Sequence, residues 1–438
     1  MIENNRLLAQ LDALRGESSS LDPDAVARVK IGQLVETYVE SYLNGIDSGA
    51  AYSGFSASLD ETNTGKSAIH GALDEPFTED GLGLNTSLDI LKREIDAPGI
   101  ATTSPRFFGY IPGGGLYYSA IADMLAAVSN KYAGVYFASP GAVRVEEQCL
   151  AWLADLAGYP AGYGGYLSSG GSMANFTAVV TARDHRGIEG TKIAQSVVYL
   201  TDHAHHCIDK AIHLAGLSKC LVRRIPVDER YRMRADLLAI QLKADTDAGL
   251  NPFFVVATAG TTNTGSVDPL EEIGNLAAKF GAWYHIDGAY GALFALCEAG
   301  RKMLKGMELS DSIVMDPHKT LFLPYGIGAL LVKDKTLLLE AHAAGAHYMQ
   351  DVVHVEATSP ATLSPELTKH FRGLRMWLPL QVVGVIPFRS ALAEKMLLAQ
   401  YFHSQLSLMK GFEVGPEPDL SVVTYRYIPQ HEDPDLFN

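Results

Sequence analysis

Six short apolar runs constrain this chain more than any other feature: Ser196–Leu200, Cys220–Ile225, Pro252–Thr258, Trp283–Ile286, Ser312–Met315 and Gly328–Val332. Helical stretches alternate with them. Apolar runs this short, separated by helices, are the mark of strands in a largely parallel sheet covered on both faces. The fold class expected is therefore α/β, with a mostly parallel central sheet. Ligands in such sheets lie beyond the carboxyl ends of the strands.

The surroundings are helical. Leu7, Leu8, Leu11 and Leu14 recur at helical spacing, as do Val26, Val29, Ile31, Leu34, Val35, Tyr38 and Val39. Asp22 before Pro23 is a start signal for the second of these helices. Residues 46–82 read as an irregular connection and 86–97 as a short helix. Near the end, Arg389–Leu408 reads as a long helix and Leu420–Ile428 as strand-like.

Composition narrows the partners. With 47% hydrophobic residues in 438, the chain can fill a large core. Fifty acidic against 35 basic residues leave a net charge of −15. That charge repels nucleic-acid backbones and acidic membranes, and neither is expected as a partner. The four cysteines (Cys149, Cys207, Cys220, Cys297) have no C-x-x-C spacing and read as free, buried thiols in a reducing compartment. The first residues lack the apolar core of a signal peptide, and no apolar run is long enough to span a bilayer. A cytoplasmic protein is expected.

Polar clusters follow the runs, where a ligand would lie: TDHAHH after Leu200, AGTTNTG after Thr258, Asp287 after Ile286, and Asp316-Pro317-His318-Lys319-Thr320 after Met315. SSGGSMAN at 168–175 opens a helix. Its Gly-Gly-Ser turn lets backbone N–H groups approach an anion, although such a turn alone equally fits a plain helix cap. It lacks the nucleotide-binding G-x-x-x-x-G-K-[ST] pattern. Asp287 can pair with a protonated ring nitrogen, or cap the next segment. Lys319 follows an apolar run, where an unpaired ammonium is costly and a Schiff base removes the cost; the alternative is a snorkelling surface lysine. His203, His205 and His206 would suit a metal, but no acidic or cysteine third ligand lies at a usual spacing. An anion cradle, a buried carboxylate and an enclosed lysine together suit pyridoxal 5′-phosphate (PLP).

SSGGSMAN, DHAHHCIDKA, ATAGTTNTG, HIDGAYG and DPHKT, in this order, resemble the group II PLP-dependent amino-acid decarboxylases, which include aromatic-L-amino-acid, tyrosine and glutamate decarboxylases. The resemblance runs from about Ser104 to about Trp377. It implies the type I PLP fold, and a homodimer with active sites at the interface. It implies an N-terminal helical segment (1–100) packing across the dimer, a large PLP-binding domain (101–385) and a small C-terminal α+β domain (386–438) that is either incomplete in this sequence or reduced relative to the family's. Matched residue by residue, Lys319 is the Schiff-base lysine, Asp287 the ring-nitrogen partner and His205 the histidine stacked on the ring. Gly171, Ser172 and His318 match the phosphate site, Thr262 the neighbour of the 3′-oxygen and Ala289 the small residue under the ring. Tyr348, in GAHYMQD, matches the tyrosine that helps protonate the carbanion after CO₂ leaves. Tyr110, Ile111 and Tyr132 match substrate-pocket positions. Where the family often has two arginines, this chain has Lys369-His370.

The function these residues imply is decarboxylation of an L-amino acid to its amine. Aromatic content at 107–118 and 130–137, where Arg106 is the one nearby partner for a side-chain carboxylate, favours an aromatic substrate. The alternatives are an acidic-amino-acid decarboxylase, an aldehyde synthase on the same fold, and a non-enzymatic paralogue. Retention of His205 and Tyr348 favours plain decarboxylation over the aldehyde-forming route.

Overall fold

The computed structural model describes residues 2–53, 71–111, 113–343 and 358–428. It divides into two units, Met1–Gly109 and Tyr110–Asn438. In the first, α1 (Ile2–Ser18) and α2 (Ala25–Gly45) carry the apolar repeats. The cap of α2 is Asp24 rather than Asp22: its carboxylate accepts the Ala27 N–H at 2.8 Å, with Pro23 ahead of it. β1 (Tyr52–Ser53) pairs antiparallel with β2 (Gly99–Ile100). Between them in sequence runs α3 (Leu84–Ile90), continued by a π-helical turn, Leu91–Asp96.

The second unit opens with α4 (Tyr117–Ser129), α5 (Pro140–Ala157), β3 (Gly164–Ser168), α6 (Gly171–His185) and α7 (Lys192–Gln195). Strands and helices then alternate: β4 (Ser196–Leu200), α8 (Cys207–Leu214), β5 (Leu221–Arg224), α9 (Ala235–Asp247), β6 (Asn251–Thr258), α10 (Leu270–Phe280) and β7 (Trp283–Asp287). There follow α11 (Glu298–Met303), β8 (Ser312–Met315), α12 (Pro317–Thr320), β9 (Gly328–Val332) and α13 (Lys335–His342). The end is formed by α14 (Gly373–Val383), α15 (Ile386–Leu406), β10 (Phe412–Val414) and β11 (Tyr425–Tyr427). Only the last three residues of the strand-like 420–428 segment before Ile428 are strand; Leu420 is instead buried in the core.

Seven strands form one sheet in the order β3-β9-β8-β7-β6-β4-β5. The run β8-β7-β6-β4-β5 is parallel, and β9 is antiparallel to both β8 and β3. The sheet is thus mostly parallel, as the apolar runs imply. In β4 and β6 the lack of polar alternation has a direct cause, whereas β5, at the sheet's edge, carries Arg223 and Arg224 and is only partly buried. Val197, Tyr199, Val255 and Ala257 enter the core on one face, while Val198, Leu200, Phe254 and Val256 enter the core on the other. β3 escaped the apolar pattern because it begins Gly164-Gly165. A side chain at Gly165 would meet the Leu330 carbonyl oxygen at 2.5 Å, so close pairing with β9 demands glycine.

Lys369 is the least expected core residue. Its side chain is fully buried, 2.5 Å from Glu146 on α5, and its ammonium lies over the Tyr166 ring of β3. Glu146 also accepts the Leu167 N–H at 2.9 Å. Here Lys369 is a structural cation rather than a surface one.

Candidate active site

β6, β7 and β8 lie side by side, so their carboxyl ends bring separate sequence clusters together. Thr258 pairs with Asp287, and Asp287 with Val314, one step before Met315 and Asp316. Against these ends stands the first turn of α6. A cavity of about 290 Å³ opens there, lined by Gly171, Ser172, His205, Thr262, Asp287, Ala289, His318 and Lys319. Every cofactor-site residue expected from the sequence is therefore on one wall or another of one cavity.

The N-terminal turn of α6 is shaped for an anion. Gly170 has φ +150°, a conformation L side chains rarely adopt, and a Cβ there would lie 3.3 Å from His318 Cε1. A Cβ on Gly171 would come within 2.9 Å of Asp316 Oδ2 and 3.2 Å of Ala289 Cβ. Only glycine lets this turn pack so closely against His318, Asp316 and Ala289, and the N–H groups at the start of a helix are where an anion binds. These residues fit a phosphorylated planar cofactor: the glycine turn that opens α6, buried Asp287, Ala289 and His205 all line the same cavity.

Burial sets the protonation of the imidazoles. His205 is held below the ordinary histidine range chiefly by desolvation, with Asp287 opposing. Its Nδ1 accepts the Cys207 N–H at 3.3 Å, leaving Nε2 to carry the proton of a neutral ring. The segment is a turn, not extended, so His205 lies against His206 at 4.1 Å between centroids, while His203 is beside Tyr231. His318 is also lowered by burial, and its Nδ1–H donates to the Ile327 carbonyl at 2.6 Å.

Several contributors were not singled out in the sequence. Asp316, in the quoted DPHKT motif, is almost fully buried; its Oδ2 accepts the Gly171 N–H at 3.1 Å and lies 3.3 Å from Lys319 Nζ. Its place one residue past a buried strand, three before Lys319, was the available signal. Asn175 and Cys207 also line the cavity. Burial pushes the Cys207 thiol up to about 12, so it stays protonated and is no nucleophile. Behind them runs an ordered chain of donors. Trp283 Nε1–H donates to Ser312 Oγ, which donates to His285 Nδ1; His285 Nε2–H donates to Asn175 Oδ1, whose amide donates to Cys207 Sγ. Desolvation depresses His285 to about 4, which keeps it neutral and keeps this direction of donation.

Tyr110, Ile111 and Tyr132 are not among the cavity-lining residues. Tyr110 is exposed at φ +56°, Ile111 packs on the core, and the Tyr132 hydroxyl donates to the Leu367 carbonyl at 2.8 Å. Tyr348 lies outside the described residues.

Comparison with known proteins agrees with the geometry. Residues 84–428 match the family model "Pyridoxal-dependent decarboxylase conserved domain". An aromatic-L-amino-acid decarboxylase of Bacillus atrophaeus is 35% identical over 363 residues, 82% of this chain and 75% of that protein. A phenylacetaldehyde synthase of Arabidopsis thaliana is 28% identical over 82% of this chain and 76% of its own. Among solved structures, Oryza sativa TDC with PLP and tryptamine superposes with a TM-score of 0.84 at 25% identity, over 93% of this chain and 84% of that one.

Proposed function

The chain belongs to the pyridoxal-dependent decarboxylase family and is a PLP-dependent carboxy-lyase acting on amino acids; on that premise we propose that its substrate is an aromatic L-amino acid and that Lys319 holds the cofactor. What supports the reading of Lys319 is the convergence of Lys319, Asp287 and His205 on one cavity at the carboxyl ends of the sheet, and what supports an aromatic substrate is the likeness to the Bacillus atrophaeus aromatic-L-amino-acid decarboxylase. Gly171, Ser172 and His318 would take the phosphate, Asp287 the ring nitrogen, Thr262 the 3′-oxygen, and His205 and Ala289 the two ring faces. When bound, the cofactor supplies an electron sink for the bond that breaks as CO₂ leaves.

The chain's own residues do the rest. Asp287, enclosed at a strand end, keeps its carboxylate aimed at one point, with the Ala289 N–H donating to it at 3.2 Å. A neutral His205 presents a flat, uncharged face. Tyr348 delivers the proton to the substrate α-carbon, on the strength of its match to the family's loop tyrosine. Among the described residues no arginine lines the cavity, which suits a substrate without a side-chain carboxylate.

The active form proposed is a homodimer, in the cytoplasm. No described side chain of α1 or α2 is buried, and Leu7, Leu11, Leu14, Val26 and Val29 leave apolar surface that a second copy would cover. The buried, free cysteines suit a reducing compartment. No described helix is long and apolar enough to cross a membrane.

Product analysis with Tyr, Trp, Phe, His, Glu, Asp and 2,4-diaminobutyrate tests the substrate class. Amine and CO₂ from the aromatic amino acids are expected. Turnover confined to Glu, Asp or diaminobutyrate sinks the assignment. Aldehyde and peroxide in step with CO₂ would replace it with the activity named for the Arabidopsis relative.

A further inference from the structure

Among the described residues one carboxylate lies within 4 Å of the Lys319 ammonium, and it is Asp316 rather than Asp287. Asp316 Oδ2 stands 3.3 Å from Lys319 Nζ and accepts the Gly171 N–H of the anion cradle at 3.1 Å. Its Oδ1 is buried without a hydrogen-bond partner, wedged where a Cβ on Gly328 would approach to 2.4 Å. A carboxylate so poorly solvated, 1% exposed, is a reluctant anion. It is neutralised by the very lysine that must lose a proton before its nitrogen can act as a nucleophile.

We propose that Asp316 takes the ammonium proton of Lys319 when the phosphate of the cofactor enters the cradle, so that the lysine meets the aldehyde as a neutral amine. This inference rests on the reading of Lys319 and of the cradle given above. A phosphate at the start of α6 competes for the Gly171 N–H and brings a second negative charge beside Asp316. Both effects favour the protonated carboxyl. Groups facing Asp316 act in known directions. Lys319 and His318 favour its ionised form, Asp287 disfavours it, and burial outweighs them to hold its pKa above the ordinary carboxylate value. His318 is the weaker candidate for the lysine's proton: among the described residues no hydrogen bond joins it to Lys319, its free Nε2 stands 3.6 Å from Asp316 Oδ2, and burial disfavours its charged form. The balance is simple. One N–H bond of the ammonium breaks and an O–H bond forms on Asp316. The freed lone pair then bonds the aldehyde carbon, and the aldehyde oxygen leaves as water with the amine's two remaining protons.

The test reads covalent attachment, not turnover. Full-length protein freed of cofactor is mixed with PLP, quenched with borohydride at intervals and weighed by mass spectrometry. With an internal proton acceptor, the wild-type rate should change by less than about threefold between pH 6 and 8.5. In Asp316→Asn, attachment at pH 7 should be at least about tenfold slower and climb about tenfold per pH unit, because the proton must now leave to solvent. Inorganic phosphate should compete at equal or lower concentration in that variant, which shows an intact cradle. A variant with the wild-type rate and profile overturns the proposal. So does a wild-type rate that itself climbs tenfold per unit, a result that needs no variant to fold. An adduct that persists in Lys319→Ala overturns the reading of Lys319 instead, whatever Asp316 does.

Discussion

At the scale of single residues, the cavity divides its groups by what burial does to their charge. Among the described residues Lys319 is the one amine that lines the cavity, and Lys319→Ala should abolish the absorbance band of the attached cofactor along with CO₂ release. A spectrum of the purified variant decides it; a retained band refutes the assignment. Asp287→Asn keeps the shape but removes the charge, and kcat should fall by roughly two to three orders of magnitude, as when one preorganised electrostatic partner is lost. A kcat within a few-fold of wild type would place the ring-nitrogen partner elsewhere. His285 offers a pH signature. Its folded-state pKa, about 4, lies below the ordinary 6.5, so below pH 6.5 the unfolded chain gains a proton that the folded chain refuses. Stability contributed by this site is complete above pH 6.5 and is lost as pH falls towards 4, to the extent of ~3 kcal/mol. Urea midpoints measured across that window should fall less steeply for His285→Asn than for wild type; parallel slopes would show that His285 titrates normally.

At the scale of elements, the best-defined joint is the buried Glu146–Lys369 pair. It ties α5 to the segment before α14, with the β3 backbone held by the same carboxylate. Lys369→Met leaves Glu146 enclosed without a counter-charge and should cost about 3–5 kcal/mol. Adding Glu146→Gln should recover most of that loss, because the amide oxygen still accepts the Leu167 N–H without a charge to compensate. Denaturant melts of the single and double variants check this, and a double variant no more stable than the single one disproves it. Lys369-His370 could be read only as a departure from paired arginines, since nothing local marks Lys369 as buried. Its partner is more than two hundred residues away, on a helix whose other face packs elsewhere. β3 was missed for a related reason: its glycines answer to β9, and hydrophobic pattern carries no record of that contact. β4, β8 and β9, by contrast, begin and end where their apolar runs do.

At the scale of the whole molecule, the exposed apolar positions of α1 and α2 are the clearest unfinished surface. Sedimentation of the purified chain should give a dimer. Leu11→Glu with Val29→Glu should shift it towards monomer and reduce activity in proportion. A double variant that stays dimeric would move the proposed interface away from these helices. The sequence by itself determined the α/β class and the strands of the sheet's centre, and it marked Lys319, Asp287, His205 and the 170–172 turn as candidates, which line one cavity. Those features are written locally, in runs buried on both faces and in polar residues immediately after them. Only the tertiary structure decided that Asp316 is the carboxylate nearest Lys319, that His285 and Asn175 form a donor chain behind the cavity, and that Lys369 is a core residue. Each depends on which strands become neighbours and which N–H, carboxylate or ammonium is left facing another across a space that spacing along the chain does not encode.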